Sequence, residues 1–170
     1  MININPKNYE SENILSNEEI IEELNKLKKQ GKKIGLCSGS FDLLHPGHIN
    51  HLISAKKNCD ILVVAIARDN FSKEKSIKRG RPIFSHNLRA FMISKLKPVD
   101  FVILDEGTVD TLYLIKPDIY IKGIDYADEK DPRILHTKKI IEELGGKIHF
   151  TPNEKISTTN LIKYIKEEIV

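Results

Sequence analysis

A repeated alternation restricts this chain more than any other feature. Five short apolar runs, KIGLCSG (33–39), DILVVAIA (60–67), DFVILD (100–105), DIYIKG (118–123) and KIHFT (147–151), are separated by helical segments near 47–57, 86–96, 108–115 and 136–144. Several of these runs are almost continuously apolar, which suits strands covered on both faces, and a strand–helix–strand order makes such strands parallel with right-handed crossovers. The expected fold is therefore α/β, a doubly wound parallel five-stranded sheet with helices on both faces. In sheets of this kind ligands sit beyond the carboxyl ends of the strands.

A helix precedes the first run. SNEEIIEELNKLKKQG (16–31) offers Ser16 as N-cap with Glu19 three residues on, apolar positions at Ile20, Ile21, Leu24 and Leu27, and Gly31 as the stop. Residues 1–15 are polar and aperiodic, an extension expected to be loose unless a neighbouring surface holds it. The 170 residues suffice for one well-cored domain, here 16–170. Two polar connections, RDNFSKEKSIKRGRPIFSHN (68–87) and IDYADEKDPRILH (124–136), are long enough to be candidate substrate and nucleotide loops.

Composition narrows the partners. A net charge of +3 is spread along the chain, which suits an anionic small ligand. Basic residues are not interleaved with aromatics, and Phe and Tyr number 6 and 5, so nucleic acid is not an expected partner. Cys37 and Cys59 have no metal or redox spacing and read as free buried thiols in predicted strand regions, in a reducing compartment. No apolar stretch reaches the roughly 18 residues of a membrane span, and the start lacks a leader pattern, so the expected location is cytoplasmic.

The chemistry concentrates in GSFDLLHPGH (39–48), directly after the first strand run. A glycine turn there lets backbone approach a phosphate chain, and the helix starting near Gly47 adds the positive end of its dipole. Pro46 is tolerated in a first helical turn, and His45 and His48 can face a common point above the strand edge. Two histidines with Asp42 as the sole carboxylate close in sequence do not make a zinc set, and no metal-ligating residues are assigned.

The stretch GSFDLLHPGH resembles the GxFDxxHxGH signature of the HxGH nucleotidyltransferases, the cytidylyltransferase-like superfamily. HLISAKKNCDILVVAIARD, GRPI, LRAFMISKLKPVDFVI, IKPDIYIKGIDY and ISTTNLIKYI continue the likeness in family order over roughly residues 17–168. Within it the chain is most similar to the nucleotidyltransferase domain of ADP-heptose synthases, and next to glycerol-3-phosphate cytidylyltransferase. The resemblance implies a Rossmann-like fold and an enzyme joining ATP or CTP to a phosphorylated sugar or polyol, such as a heptose phosphate, with release of pyrophosphate. A glycerol-3-phosphate-type enzyme and a non-catalytic nucleotide sensor are the alternatives.

The resemblance also implies site roles. His45, His48 and Lys56 take the catalytic positions. Gly39, Ser40, Phe41, Arg89, Lys122, Gly123, Asp125, Ser157, Thr158 and Thr159 take nucleotide-binding ones, and Asp42, Asp69 and Arg81 substrate-binding ones. Mg²⁺ is the implied cofactor and a homodimer the implied assembly. SKEKSIKRGR (72–81) reads as a basic lid. Ile124 stands in KGIDY where the heptose enzymes carry glycine, a branched side chain expected to reshape the base pocket.

Overall fold

The computed structural model describes residues 5–71, 81–127, 131–152, 156 and 158–169. Its five strands are β1 (Ile34–Gly39), β2 (Ile61–Ala67), β3 (Phe101–Asp105), β4 (Ile119–Gly123) and β5 (Lys147–Thr151). All pair in parallel, in the order β3-β2-β1-β4-β5. The helices are α1 (Asn17–Lys29), α2 (Pro46–Lys56), α3 (His86–Ser94), α4 (Thr108–Ile115), α5 (Pro132–Glu143) and α6 (Thr158–Glu168).

The period-2 geometry of the strands splits the apolar runs between two cores. Cys37, Val64 and Ile121 point to one face and pack with Leu52 of α2 and Ile93 of α3. Leu36, Val63 and Tyr120 point to the other and pack with Leu24 of α1, Leu112 of α4 and Ile141 of α5. The doubly wound sandwich read from the sequence is the fold observed.

Local signals decide where elements begin and end. Ser16 Oγ accepts from Glu19 N at 3.2 Å while the Glu19 carboxylate accepts from Ser16 N at 2.8 Å, the reciprocal cap of α1. Gly31, at φ 75°, ends that helix in a conformation that favours glycine. Cys37 lies within β1, but Cys59 lies just before β2 and not in a strand; both are free thiols.

The described part of the extension is held by the sheet. Val102 N donates to Asn13 O at 2.8 Å and Leu15 N to Val102 O at 2.9 Å, forming a parallel bridge on the open edge of β3. Asn13 Nδ2 reaches Ser94 O and Asp100 O, and Tyr9 packs edge-on against Phe91. An unpaired edge is thereby covered by a short segment instead of being left to recruit another strand.

Strand order reverses between β1 and β4. The chain leaves β1 through α2 toward β2 and returns through α4 to β4 on the other side, and the crevice beyond these two strand ends is where the candidate site lies.

Candidate functional site

A cleft of about 280 Å³ opens at that reversal point. Its floor is the end of β1 and the turn that follows. Phe41 (φ 49°) and Leu43 (φ 51°) both adopt left-handed backbone, unusual for bulky residues and tolerated where surroundings over-determine it. Those surroundings can be named. Arg89 donates through Nη1 to Ser40 O, the Asp42 carboxylate accepts from Ile83 N at 2.9 Å, and Thr158 Oγ1 donates to Asp42 O at 2.8 Å. A Cβ on Gly39 would stand 3.1 Å from the Phe41 ring, which would have to shift by a few tenths of an ångström to admit it.

His45 is the N-cap residue of α2 in extended backbone, with no side-chain cap bond, and Pro46 follows. The His45 and His48 rings stack at 3.7 Å between centroids with an 18° interplanar angle. His45 is 5% exposed, and both Nδ1 atoms are buried without a hydrogen-bond partner among the described residues. Orphaned buried polar atoms point to a missing partner. Gly47 makes the stack possible, since a Cβ would approach Ile156 Cβ to 3.0 Å and His45 Nδ1 to 3.1 Å. His48 N turns back to His45 O at 3.0 Å, so this helix end offers its dipole and the two rings more than a row of amides.

Burial lowers the pKa of both rings. His48 is pushed down to about 4 by burial, reinforced by His45 and His51 and opposed by Asp42. His45 is lowered by burial as well. At neutral pH the pair is uncharged, each ring keeping one N–H and one lone pair.

The remaining walls come from distant parts of the chain. Arg81 bridges Asp42, at 3.4 Å from Nε, and Thr159 Oγ1, at 3.1 Å from Nη1, setting a guanidinium at the cleft mouth. Thr158 and Thr159 both line the cleft. From β4, Lys122 Nζ donates to Ser38 O at 3.0 Å and lies about 5 Å from the Tyr120 and Tyr126 rings. Gly123 and Asp125 complete that side, where a Cβ on Gly123 would meet Asp125 Oδ1 at 2.6 Å. Among the candidate residues, Gly39, Ser40, Phe41, Asp42, His45, His48, Arg81, Lys122, Gly123, Asp125, Thr158 and Thr159 thus meet in one cleft.

Three others do not join them. Lys56 sits at the far end of α2 and pairs with Asp100, before β3, also donating to Asp60 O. Eight residues of helix after His48 carry it about 12 Å away toward the amino ends of the strands. Arg89 is 1% exposed, with its guanidinium spent on Phe84 O, Ser40 O, Ala67 O and the Asp69 carboxylate, so it is a buried strut behind the turn. Asp69 is bound to Arg89 and to His86 Nδ1; burial would raise its pKa, but these hydrogen bonds outweigh that and lower it. Ser157, and residues 72–80 of the basic lid, lie outside the described residues. Ile124 is 48% exposed and does not line the cleft, so the branch there turns to solvent instead of reshaping the pocket.

Beside Ser38, Gly47 and Ile156, which flank the assigned residues, three lining residues escaped the sequence reading. His51 follows His48 by three positions on the same helix, a spacing that places both on one face and was the available signal. Thr151, last residue of β5, and Tyr126 carry no local signal and enter only through the strand order.

Among the described residues no three of His, Cys, Asp and Glu converge to hold a metal ion, and the Asp42 oxygens are engaged by Ile83 N and Arg81. The described residues offer no dedicated Mg²⁺ cage. The described residues also contain no helix long and apolar enough to cross a membrane.

Comparison with known proteins places this geometry. The cytidylyltransferase-like family profile matches residues 36–164. The bifunctional protein HldE of Desulfatibacillum aliphaticivorans is 40% identical over 153 residues, covering 88% of this chain and 30% of that protein. Its counterpart in Campylobacter fetus is 38% identical, covering 86% of this chain and 31% of that one. The chain therefore spans about 30% of the length of these curated relatives. Among solved structures, the lipopolysaccharide core biosynthesis protein of Thermoplasma volcanium is 35% identical with a TM-score of 0.57, covering 75% of this chain and 100% of that one. Pantoate-beta-alanine ligase from Francisella tularensis shares the fold at TM-score 0.61 and 18% identity, over 88% of this chain and 73% of its own.

Proposed function

The chain belongs to the cytidylyltransferase-like family, and from that premise we propose that it transfers a nucleotidyl group from ATP or CTP to the phosphate of a phosphorylated sugar, a heptose phosphate in the first instance. An ionised acceptor oxygen attacks the α-phosphorus, the bond from that phosphorus to the bridging oxygen breaks, and pyrophosphate leaves with the electron pair. No protein nucleophile is required, because the acceptor is already ionised at neutral pH; alignment and charge stabilisation carry the catalysis.

One observation carries the reading: two stacked, neutral imidazoles with unpartnered buried nitrogens stand at a helix N-terminus in the cleft at the strand-order reversal. An entering triphosphate supplies the missing partner and accepts N–H bonds from both rings. Its negative charge also favours protonation of His48, raising the ring from about 4 and strengthening its donation as charge builds on the leaving pyrophosphate. Arg81 at the cleft mouth neutralises a second anion, and the Thr158 and Thr159 hydroxyls lie beside it. Mg²⁺, held by the phosphates and water, supplies further charge neutralisation when bound.

We assign the working place to the cytoplasm, supported by the free thiols Cys37 and Cys59. We assign the working form to a homodimer, supported by the exposed Tyr164 and Ile165 of α6 and Ile169 just after it, and tested by sedimentation. The activity is tested by pyrophosphate release, screening the nucleoside triphosphates against sugar-1-phosphates and polyol phosphates, glycerol-3-phosphate included. A productive pair, abolished in His48→Ala with the fold retained, supports the reading. Undiminished release in His48→Ala contradicts the mechanism, and silence across the screen with nucleotide still bound favours a sensor.

A further inference from the structure

His51 has no place in the phosphate chemistry, yet its surroundings are built with care. It lies one turn beyond His48 on the cleft side of α2 and faces the ends of β4 and β5. Its Nδ1 is 2.8 Å from Thr151 Oγ1, and that hydroxyl donates in turn to Lys122 O at 3.4 Å. A hydroxyl has one proton to give. With the Thr151 proton committed to a carbonyl that can only accept, the His51 contact is closed by the ring's own Nδ1–H. This arrangement favours the Nδ1–H tautomer of the neutral ring, in which Nε2 is an acceptor that makes no hydrogen bond among the described residues.

The chain's other groups say what lies opposite. The guanidinium of Arg81 and the α2 terminus occupy the anionic end of the cleft. The end near His51 holds the half-exposed ring of Tyr126 and the uncharged Thr151. The Lys122 ammonium there is turned to Ser38. An aromatic face beside single, directed polar groups suits a flat heterocycle, not a phosphate.

We propose that His51 reads the nucleobase, its Nε2 accepting from the exocyclic amine of adenine or cytosine and rejecting the carbonyl that guanine or uracil presents instead. This rests on the transferase reading, since it takes the triphosphate to lie at His45 and His48. Burial supports it by holding His51 at about 4, so the ring does not protonate near neutrality and become a donor; Lys122 reinforces that and Asp125 opposes it. Asp125 lines the same part of the cleft and, as a carboxylate, also only accepts.

The test is equilibrium binding of ATP, CTP, GTP and UTP, each without acceptor, to the full chain and to His51→Gln and Thr151→Val. A carboxamide can rotate to donate or accept, and valine keeps the shape of threonine while releasing the tautomer. The wild-type chain is expected to bind ATP and CTP about tenfold or more tightly than GTP and UTP, with that ratio falling to about threefold or less in both variants. Should one variant fail to fold, the other carries the test. A ratio unchanged in the folded variants, or a wild-type preference for GTP and UTP, overturns the role of His51 while leaving the transferase reading intact. A chain that binds none of the four overturns both.

Discussion

Gly47→Ala separates what the cleft needs from what the helix needs. Glycine is a poor helix former, and alanine is favoured by about 1 kcal/mol in a helix interior, less in a first turn. On propensity alone the substitution stabilises α2. Its Cβ, however, would stand 3.0 Å from Ile156 Cβ and 3.1 Å from His45 Cε1 and Nδ1, so those neighbours must retreat by about 0.4 Å to regain an ordinary contact. His45 has little freedom, being 5% exposed and stacked on His48 at 3.7 Å, and the displacement passes into the catalytic pair. A misplacement of about 1 Å in a reacting array is worth roughly 100-fold in rate, so a few tenths correspond to about 5- to 10-fold in kcat/KM. The steric and propensity effects offset in stability, leaving it within about 1 kcal/mol of wild type. Steady-state pyrophosphate release and urea unfolding on the same preparation give both numbers. Unaltered kcat/KM in a folded variant would refute the reasoning, as would a loss of activity fully explained by unfolding.

Other perturbations probe the surroundings. Arg89→Met strips Asp69 and three carbonyls of a buried donor and is expected to lower stability by about 3 kcal/mol in urea unfolding, with turnover falling as the Ser40 turn loosens; an unshifted midpoint contradicts the strut. Lys56→Met breaks a half-exposed pair with Asp100 far from the cleft, so kcat/KM should stay within about twofold while stability drops by no more than about 1 kcal/mol. A hundredfold loss of turnover there would return Lys56 to the site. His48 and His51, each held at about 4 against an ordinary 6.5, leave the unfolded chain binding more protons between those values. Stability therefore falls as pH drops through that window, on the order of 1–2 kcal/mol after screening by the open cleft. Urea midpoints at about pH 7.5 and 4.5 measure it, and an equal midpoint at both rules it out.

The sheet was readable because its information is local: runs apolar at consecutive positions, a reciprocal cap at Ser16 and Glu19, and stop residues such as Gly31 each state their structure within a few residues. The His45–His48 pair was readable for the same reason, as three positions and a proline define one helix end. Lys56 and Arg89 show where local information stops. A basic residue in a helix reads the same whether it faces a ligand or a buried carboxylate, and what decides is the strand that arrives beside it. For Lys56 that is Asp100, 44 residues on; for Arg89 it is the turn at Ser40, 49 residues back. Thr151 and Tyr126 were invisible for the complementary reason, since only the placement of β5 beyond β4 brings them to the cleft.

The six histidines of the chain supply their own control, because His45, His48 and His51 line the cleft while His86, His136 and His149 are not among its lining residues. Nuclear magnetic resonance of the ring Cε1 protons, followed as the magnesium complex of ATP is added, reports directly on whether a triphosphate meets the stacked pair. Saturable shifts of His45 and His48, with His86 and His136 still, are the predicted result. A bound nucleotide that leaves His45 and His48 unmoved would contradict the account at its root.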